Sequence, residues 1–202
     1  MQLSIITLGH VHTEGLESLS RNATFTKLEQ LVLDINPRDP LSRHRAEFNR
    51  AIDAASADWV LVVRERESVS DELAGEIAIA VKGATAWGFR VRVEVVYAGK
   101  PLHLRLDDGE VRLFHKRHYL RFAGKGEWDE VMIQGTIVRL RQALRALSFG
   151  SVEEHRASLA QSAVPHSRLR RTFVFLRDTV GSRTLDPNTL RYIWTEAGFD
   201  RG

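Results

Sequence analysis

The chain has 202 residues, of which 43% are hydrophobic and 27% charged, an ordinary composition for a globular protein with a sizeable core. It contains no cysteine, which excludes disulfides, thiolate metal sites and cysteine nucleophiles. No apolar run approaches the roughly 20 residues of a membrane span, and the N-terminus lacks the pattern of a signal peptide. We therefore expect a cytoplasmic protein.

Alternating strand and helix signals fill the first 82 residues. Residues 3–8, 28–35 and 59–63 are predicted to form strands, and helical patterns occupy 13–21, 42–56 and 70–82. Strand, helix, strand at this spacing predicts βαβ units and a parallel sheet. The run at 59–63 is uninterrupted and rich in β-branched residues, which is typical of a strand covered on both faces.

The middle of the chain predicts antiparallel strands. Charged and apolar residues alternate over 89–96, and Leu102, Leu104 and Leu106 continue the alternation. A turn at 107–109 follows and the chain returns over 111–114, so a β-hairpin is the simplest interpretation. From Gly135 onward the spacing of Ile137, Leu140, Leu144 and Leu147 predicts a helix. A helical tail is expected over 151–202.

The stretch 58–73 joins a buried strand to a helix start through a charged turn. After the strand come Arg64, Glu65, Arg66 and Glu67, and then serines that can cap a helix. Open α/β sheets place their ligand sites at the carboxyl ends of such strands. This turn is therefore a candidate binding site.

The same stretch resembles a segment of family-2-type glycosyltransferases of the GT-A fold, especially the branch that decorates lipopolysaccharide cores. The family segment reads Asp-Trp-Val-Leu-x-Leu-Asp-Ala-Asp-Glu-x-Val-Ser-x-Glu-Leu. In it the Asp-x-Asp motif holds Mg²⁺ or Mn²⁺ against the diphosphate of a nucleotide-sugar. Arg64 and Arg66 replace the two aspartates here, whereas Glu67 matches. The resemblance thus implies a diphosphate site at Arg64, Arg66 and Glu67 without a metal cofactor.

Further blocks of the chain match the family in order. Residues 88–91 and 111–114 are similar to its Gly-Tyr-Arg-Ile and Leu-Arg-Leu-Phe blocks. Asp34 and Asp39 keep two acids that approach the nucleotide in the family, and Asn49 matches an asparagine of its Gln-Arg-Asn-type motif. A simple turn rich in proline and aspartate explains 34–40 equally well.

Asp129 and Glu130 follow Trp128 where the family has a His-Glu pair on the acceptor side. The resemblance implies that one of them acts as general base, because neighbouring like charges can raise a carboxylate pKa. A surface acidic turn beside a partly buried tryptophan is the alternative. Near 148 the chain lacks a family histidine that is a candidate metal ligand, in keeping with the loss of Asp-x-Asp.

The charge of the chain is uneven. Residues 136–202 hold 11 arginines and 6 acidic residues, which favours either peripheral contact with an anionic membrane or a solvated arginine-rich face. We expect no nucleic-acid partner, because the basic residues are not interleaved with aromatic ones on a recognisable module.

The resemblance implies a GT-A-like α/β domain over 1–150, with a mostly parallel sheet flanked by helices and an antiparallel hairpin. It implies a glycosyltransferase that moves a sugar from a UDP- or ADP-sugar to a saccharide or lipid-linked acceptor. The alternative is an inactive homologue that acts as a binding or scaffold protein, so the sequence leaves enzymatic activity open.

Overall fold

The structure is a computed structural model, which describes residues 1–9, 13–35, 41–83, 85–97, 99–102, 109–120, 131–149, 151, 153–154, 190 and 192. Its strands are β1 (Gln2–Leu8), β2 (Lys27–Leu33), β3 (Trp59–Arg64), β4 (Glu67–Ser68), β5 (Gly88–Tyr97), β6 (Lys100–Pro101), β7 (Glu110–His115), β8 (Tyr119–Leu120), β9 (Met132–Ile133) and β10 (Ile137–Phe149). Its α-helices are α1 (Glu17–Arg21), α2 (Arg45–Ala54) and α3 (Asp71–Gly83), with 3₁₀ turns at Thr13–Leu16, Leu41–His44 and Lys116–His118.

The main sheet is mixed, with strand order β2-β1-β3-β7-β5-β10-β4, and β6 pairs with β5 off this path. β1 is parallel to both β2 and β3, as the βαβ spacing predicted. β7 runs antiparallel to β3 and to β5, which confirms the predicted antiparallel strands. Most of the hairpin turn predicted at 107–109 lies outside the described residues, so the hairpin itself stays a prediction. The predicted α/β fold class is confirmed.

Strands β1 and β3 are buried on both faces, which explains the uninterrupted apolar run at 59–63 in β3; in β1 the polar residues Ser4 and Thr7 are buried as well. In β3, Trp59, Leu61 and Val63 belong to one core with α1 and α3, while Val60 and Val62 belong to a second core with α2. Side chains alternate between the faces of a strand. Because β3 contributes to both cores, every position from Trp59 to Val63 is apolar and buried.

The helix predicted from Gly135 onward is wrong, because Ile137–Phe149 forms strand β10. The spacing of four between Leu140 and Leu144 places them on one face in either structure, and both are buried. Ile137 and Leu147 lie an odd number of positions from these leucines, so a strand places them on the opposite face. Both are partly exposed, as a strand requires and an apolar helical stripe would not.

The chain divides into two compact units, one of residues 1–93 and 108–145, the other of 94–107 and 146–202. In the second unit, Tyr97 and Tyr192 pack edge to face with ring centroids 5.1 Å apart. Nearly all of the predicted helical tail at 151–202 lies outside the described residues, so it stays a prediction. Among the described helices, none has the length and apolar character to cross a membrane.

Candidate functional site

The candidate site lies where β1 and β3 end. The chain passes from β1 to β2 on one side and then to β3 on the other, so the strand order reverses at β1. Backbone hydrogen bonds align the ends: Gly9 N donates to Leu33 O over 2.9 Å, and Glu65 N donates to Leu8 O over 2.9 Å. In open α/β sheets this crevice is the usual ligand position.

A glycine and a glutamate meet at this crevice. Gly9 has φ of +79°, and a Cβ placed on it would lie 3.3 Å from Cβ of Glu65 and 3.6 Å from its Oε2. The left-handed backbone and the close approach both favour glycine at position 9. The carboxylate of Glu65 therefore lies against the end of β1.

The turn after β3 is held by its own charged residues. Arg66 occupies the left-handed region, with φ of +64°. Arg64 N donates a hydrogen bond to Oε2 of Glu67 over 2.7 Å. This bond closes the two-residue turn between β3 and β4, and Ser70 Oγ then accepts from Leu73 N over 3.2 Å as the predicted cap of α3.

Glu67 forms a buried ion pair with Arg112 on β7. Nη2 of Arg112 lies 3.2 Å from Oε1 of Glu67, and the two side chains are only 3% and 5% exposed. Nε of Arg112 lies 3.0 Å from Oε2 of Glu110, close enough for an ion pair, although this N–H does not point at the oxygen in hydrogen-bond geometry. The Arg112 guanidinium thus lies between two carboxylates.

Glu110 links this buried pair to Arg64 at the partly exposed carboxyl end of β3. Its Oε2 accepts a hydrogen bond from Nη2 of Arg64 over 2.9 Å, with side chains 35% and 38% exposed. The register of β3 against β7 pairs Leu61 with Leu113, and its continuation places Arg64 opposite Glu110. Together Arg64, Arg66, Arg112, Glu65, Glu67 and Glu110 form a group that we term the edge cluster.

The metal of the GT-A family does not fit these residues. Mg²⁺ takes oxygen ligands, whereas positions 64 and 66 carry guanidinium groups. The nearby carboxylates of Glu67 and Glu110 are already engaged by Arg112 and Arg64. Within the described ranges, no group of three or more histidine or acidic residues could hold a metal.

The structure places the other predicted site residues apart from the edge cluster. Asp34 is exposed just after β2, and Leu33 and Arg64 both pair with Leu8. Two strand spacings, about 10 Å, thus separate the ends of β2 and β3. Asn49 on α2 accepts a hydrogen bond from the Tyr119 hydroxyl over 2.6 Å.

Three predicted residues, Asp39, Asp129 and Glu130, lie outside the described residues, so their roles stay predictions. Sequence reasoning missed Glu110 and Arg112 as members of the site. The available signal is Arg112 itself, a charged residue inside the otherwise apolar block 111–114. The acid that it pairs with could not be named without the strand register.

A second titratable group lies at the other end of β3. His115 pairs with Trp59 in the sheet and packs edge to face against the rings of Trp59 and Trp87, at 5.3 and 5.6 Å. Burial lowers the pKa of His115, and the nearby cations and His118 act in the same direction, against Asp58. His118 stacks on Trp87 at 4.1 Å.

No protein-family model and no curated protein matches the sequence. Among solved structures, the chain is similar to residues 1–349 of the S. aureus glycosyltransferase TarS. With UDP-GlcNAc bound, the TM-score is 0.47 at 13% identity, covering 99% of this chain and 73% of that chain. For the structure with UDP bound, the TM-score is 0.45 at 13% identity, and the match covers 98% of this chain and 70% of that chain. Likeness at these values assigns no residue role, ligand or activity to the present chain.

Proposed function

We propose that the protein is a glycosyltransferase-like protein that binds a UDP- or ADP-sugar at the edge cluster and transfers the sugar to a saccharide or lipid-linked acceptor without a metal. The observation that supports this proposal is the position of Arg64. Its guanidinium is partly exposed and is held at the carboxyl end of β3, beside the reversal of strand order where α/β sheets bind ligands.

In the proposed reaction the acceptor hydroxyl attacks the anomeric carbon of the sugar. The bond from that carbon to the diphosphate oxygen breaks, and the diphosphate leaves with the bonding electrons. Arg64 and Arg66 would stabilise the developing charge by charge-assisted hydrogen bonds, which guanidinium groups form well with phosphates. Asp129 or Glu130 would accept the proton of the attacking hydroxyl.

The second candidate function is that of an inactive homologue which binds or scaffolds other molecules. The charge balance of the edge cluster favours it, since three arginines stand against three glutamates and Arg64 already pairs with Glu110. A cluster without net positive charge attracts a diphosphate less than a metal site does. A peripheral position on an anionic membrane, through the basic C-terminal region, belongs to either candidate.

Calorimetric titration with UDP- and ADP-sugars separates the two candidates. The titration is run in EDTA and then with Mg²⁺ or Mn²⁺, on the wild type and on the Arg64→Gln and Arg66→Gln variants. Arg21→Gln is the control, because it removes the same charge from an exposed pair with Asp71.

Binding in EDTA that weakens in the two site variants, but not in the control, would support a metal-independent sugar-nucleotide site. Unchanged affinity in both site variants would exclude the role given to the arginines. Absence of binding under every condition would favour the scaffold function. If binding is found, release of free UDP or ADP in the presence of candidate acceptors tests transfer.

A further inference from the structure

We infer that Glu110 and Arg112 are positioning residues, which hold the guanidinium of Arg64 in place for the diphosphate of the ligand. This inference rests on the proposed function and extends it to residues of β7 with no assigned role. It depends on a series of contacts that runs from the interior of the protein to its surface through Glu67, Arg112, Glu110 and Arg64.

Burial fixes the inner end of this series of contacts, the pair of Arg112 with Glu67. Arg112 and Glu67 are both nearly inaccessible and joined by two contacts, Nη2 to Oε1 at 3.2 Å and Nη1 to Oε2 at 3.5 Å. Water cannot replace either partner, because an unpaired buried charge is strongly disfavoured. Glu67 also accepts the backbone N–H of Arg64 over 2.7 Å, so the same carboxylate fixes the backbone of the residue whose side chain is to be positioned.

The outer end of this series of contacts reaches the protein surface through Glu110. A single oxygen, Oε2, lies 3.0 Å from Nε of Arg112 and 2.9 Å from Nη2 of Arg64. Two guanidinium groups from neighbouring strands therefore converge on one carboxylate atom. Because Arg112 is buried and paired with Glu67, it favours one position of Glu110, and Glu110 in turn orients Arg64.

Within the described part of the chain, the Arg64 guanidinium contacts a carboxylate through Nη2 alone, which leaves other N–H donors for a ligand. An arginine side chain loses considerable rotamer freedom when it is immobilised on binding. Here much of that ordering occurs on folding, before the ligand arrives. The inferred benefit is preorganisation of Arg64, since Glu110 adds no positive charge to the site.

The variant Glu110→Asp tests this inference, because it keeps the charge and shortens the side chain by one methylene group. The shorter carboxylate cannot bridge Arg112 and Arg64 at the observed distances. UDP and ADP are the probes for calorimetry, and relaxation of the Arg64 side-chain ¹⁵Nε resonance, assigned by its loss in Arg64→Lys, reports the order of the guanidinium. Glu17→Asp is the matched control, since it shortens a carboxylate that pairs with Arg21 at 3.4 Å on α1.

If Glu110 positions Arg64, Glu110→Asp should weaken the binding of UDP or ADP by about five- to tenfold and increase the mobility of the Arg64 side chain. Glu17→Asp should do neither, and thermal unfolding should show that both variants are folded. Unchanged or tighter binding in Glu110→Asp would overturn the positioning role and leave the proposed function standing. If the wild type binds neither nucleotide, the proposed function fails and the inference fails with it.

Discussion

Arg112 and Glu67 form an ion pair in the interior, with Nη2 and Oε1 3.2 Å apart and both side chains almost inaccessible to solvent. The desolvation of two charges offsets much of their attraction, so such a pair contributes little net stability compared with apolar residues. Removing one partner is different, because the other then remains charged and buried. This pair therefore makes the edge cluster sensitive to single substitutions.

Arg112→Met should lower the free energy of unfolding by about 3–5 kcal/mol, the usual cost of breaking a buried ion pair. The double variant Arg112→Met with Glu67→Gln should recover part of this loss, because no unpaired charge remains. Urea denaturation followed by circular dichroism measures both effects. Arg21→Met is the control and should hardly move the midpoint, since the Arg21 pair with Asp71 is exposed. A cost below about 1 kcal/mol for Arg112→Met would contradict the burial of the pair.

Alanine substitutions at Gly9 and at Gly75 should change the free energy of unfolding in opposite directions. Gly9→Ala forces a Cβ into a left-handed backbone 3.3 Å from Cβ of Glu65, and should cost about 1–2 kcal/mol. Gly75 lies inside α3 with open space around its Cα, so Gly75→Ala should stabilise by about 0.5–1 kcal/mol through helix propensity. Thermal or urea unfolding measures both changes. Equal effects of the two substitutions would contradict the backbone assigned to Gly9.

The sequence predicted correctly those parts of the fold whose apolar pattern fits one kind of element. The uninterrupted apolar run in β3 indicated a strand buried on both faces, and the structure confirms two cores around it. The spacing of Leu140 and Leu144 fits a helix and a strand equally, and only the exposure of Ile137 and Leu147 decides between them. Exposure depends on the neighbouring strands, which periodicity within one segment does not contain.

The same limit applies to the edge cluster. The position of Arg64 at the end of β3 followed from the sequence, because the strand stops where the charges begin. Its partner Glu110 lies 46 residues away, and the pairing depends on the register between two antiparallel strands. A shift of one residue would place Glu110 on the other face of the sheet. Local sequence patterns therefore predicted the turn but could not predict the contacts that hold it.

Arg66 should tolerate glycine better than alanine. Its φ of +64° is unfavourable for any residue with a Cβ and costs glycine little. We expect Arg66→Gly to be more stable than Arg66→Ala by about 1 kcal/mol, as measured by urea denaturation. Both variants remove the same charge, so both should weaken nucleotide binding alike if Arg66 contacts the diphosphate. Equal stability of the two variants would show that the left-handed turn is not maintained in solution.

His115 should make the protein less stable as the pH falls. Its pKa in the folded protein is lowered from the ordinary value of 6.5, chiefly by burial, so near and below that value the unfolded chain binds more protons than the folded one. Its Nδ1 also accepts a hydrogen bond from Arg117 N over 3.3 Å, which a protonated ring could not do. Both effects act against protonation in the folded state.

The stabilising effect of a neutral His115 should therefore be complete well above pH 6.5 and should be lost as the pH falls through 6.5 towards the lower pKa of the folded state. His115→Asn keeps an acceptor near Nδ1 but does not titrate in this range, so its stability should depend less on pH. Urea denaturation of both proteins between about pH 7.5 and pH 5.5 measures the difference. Parallel pH dependence, or a folded-state His115 resonance that titrates at or above 6.5, would contradict the partial burial of this imidazole against Trp59 and Trp87.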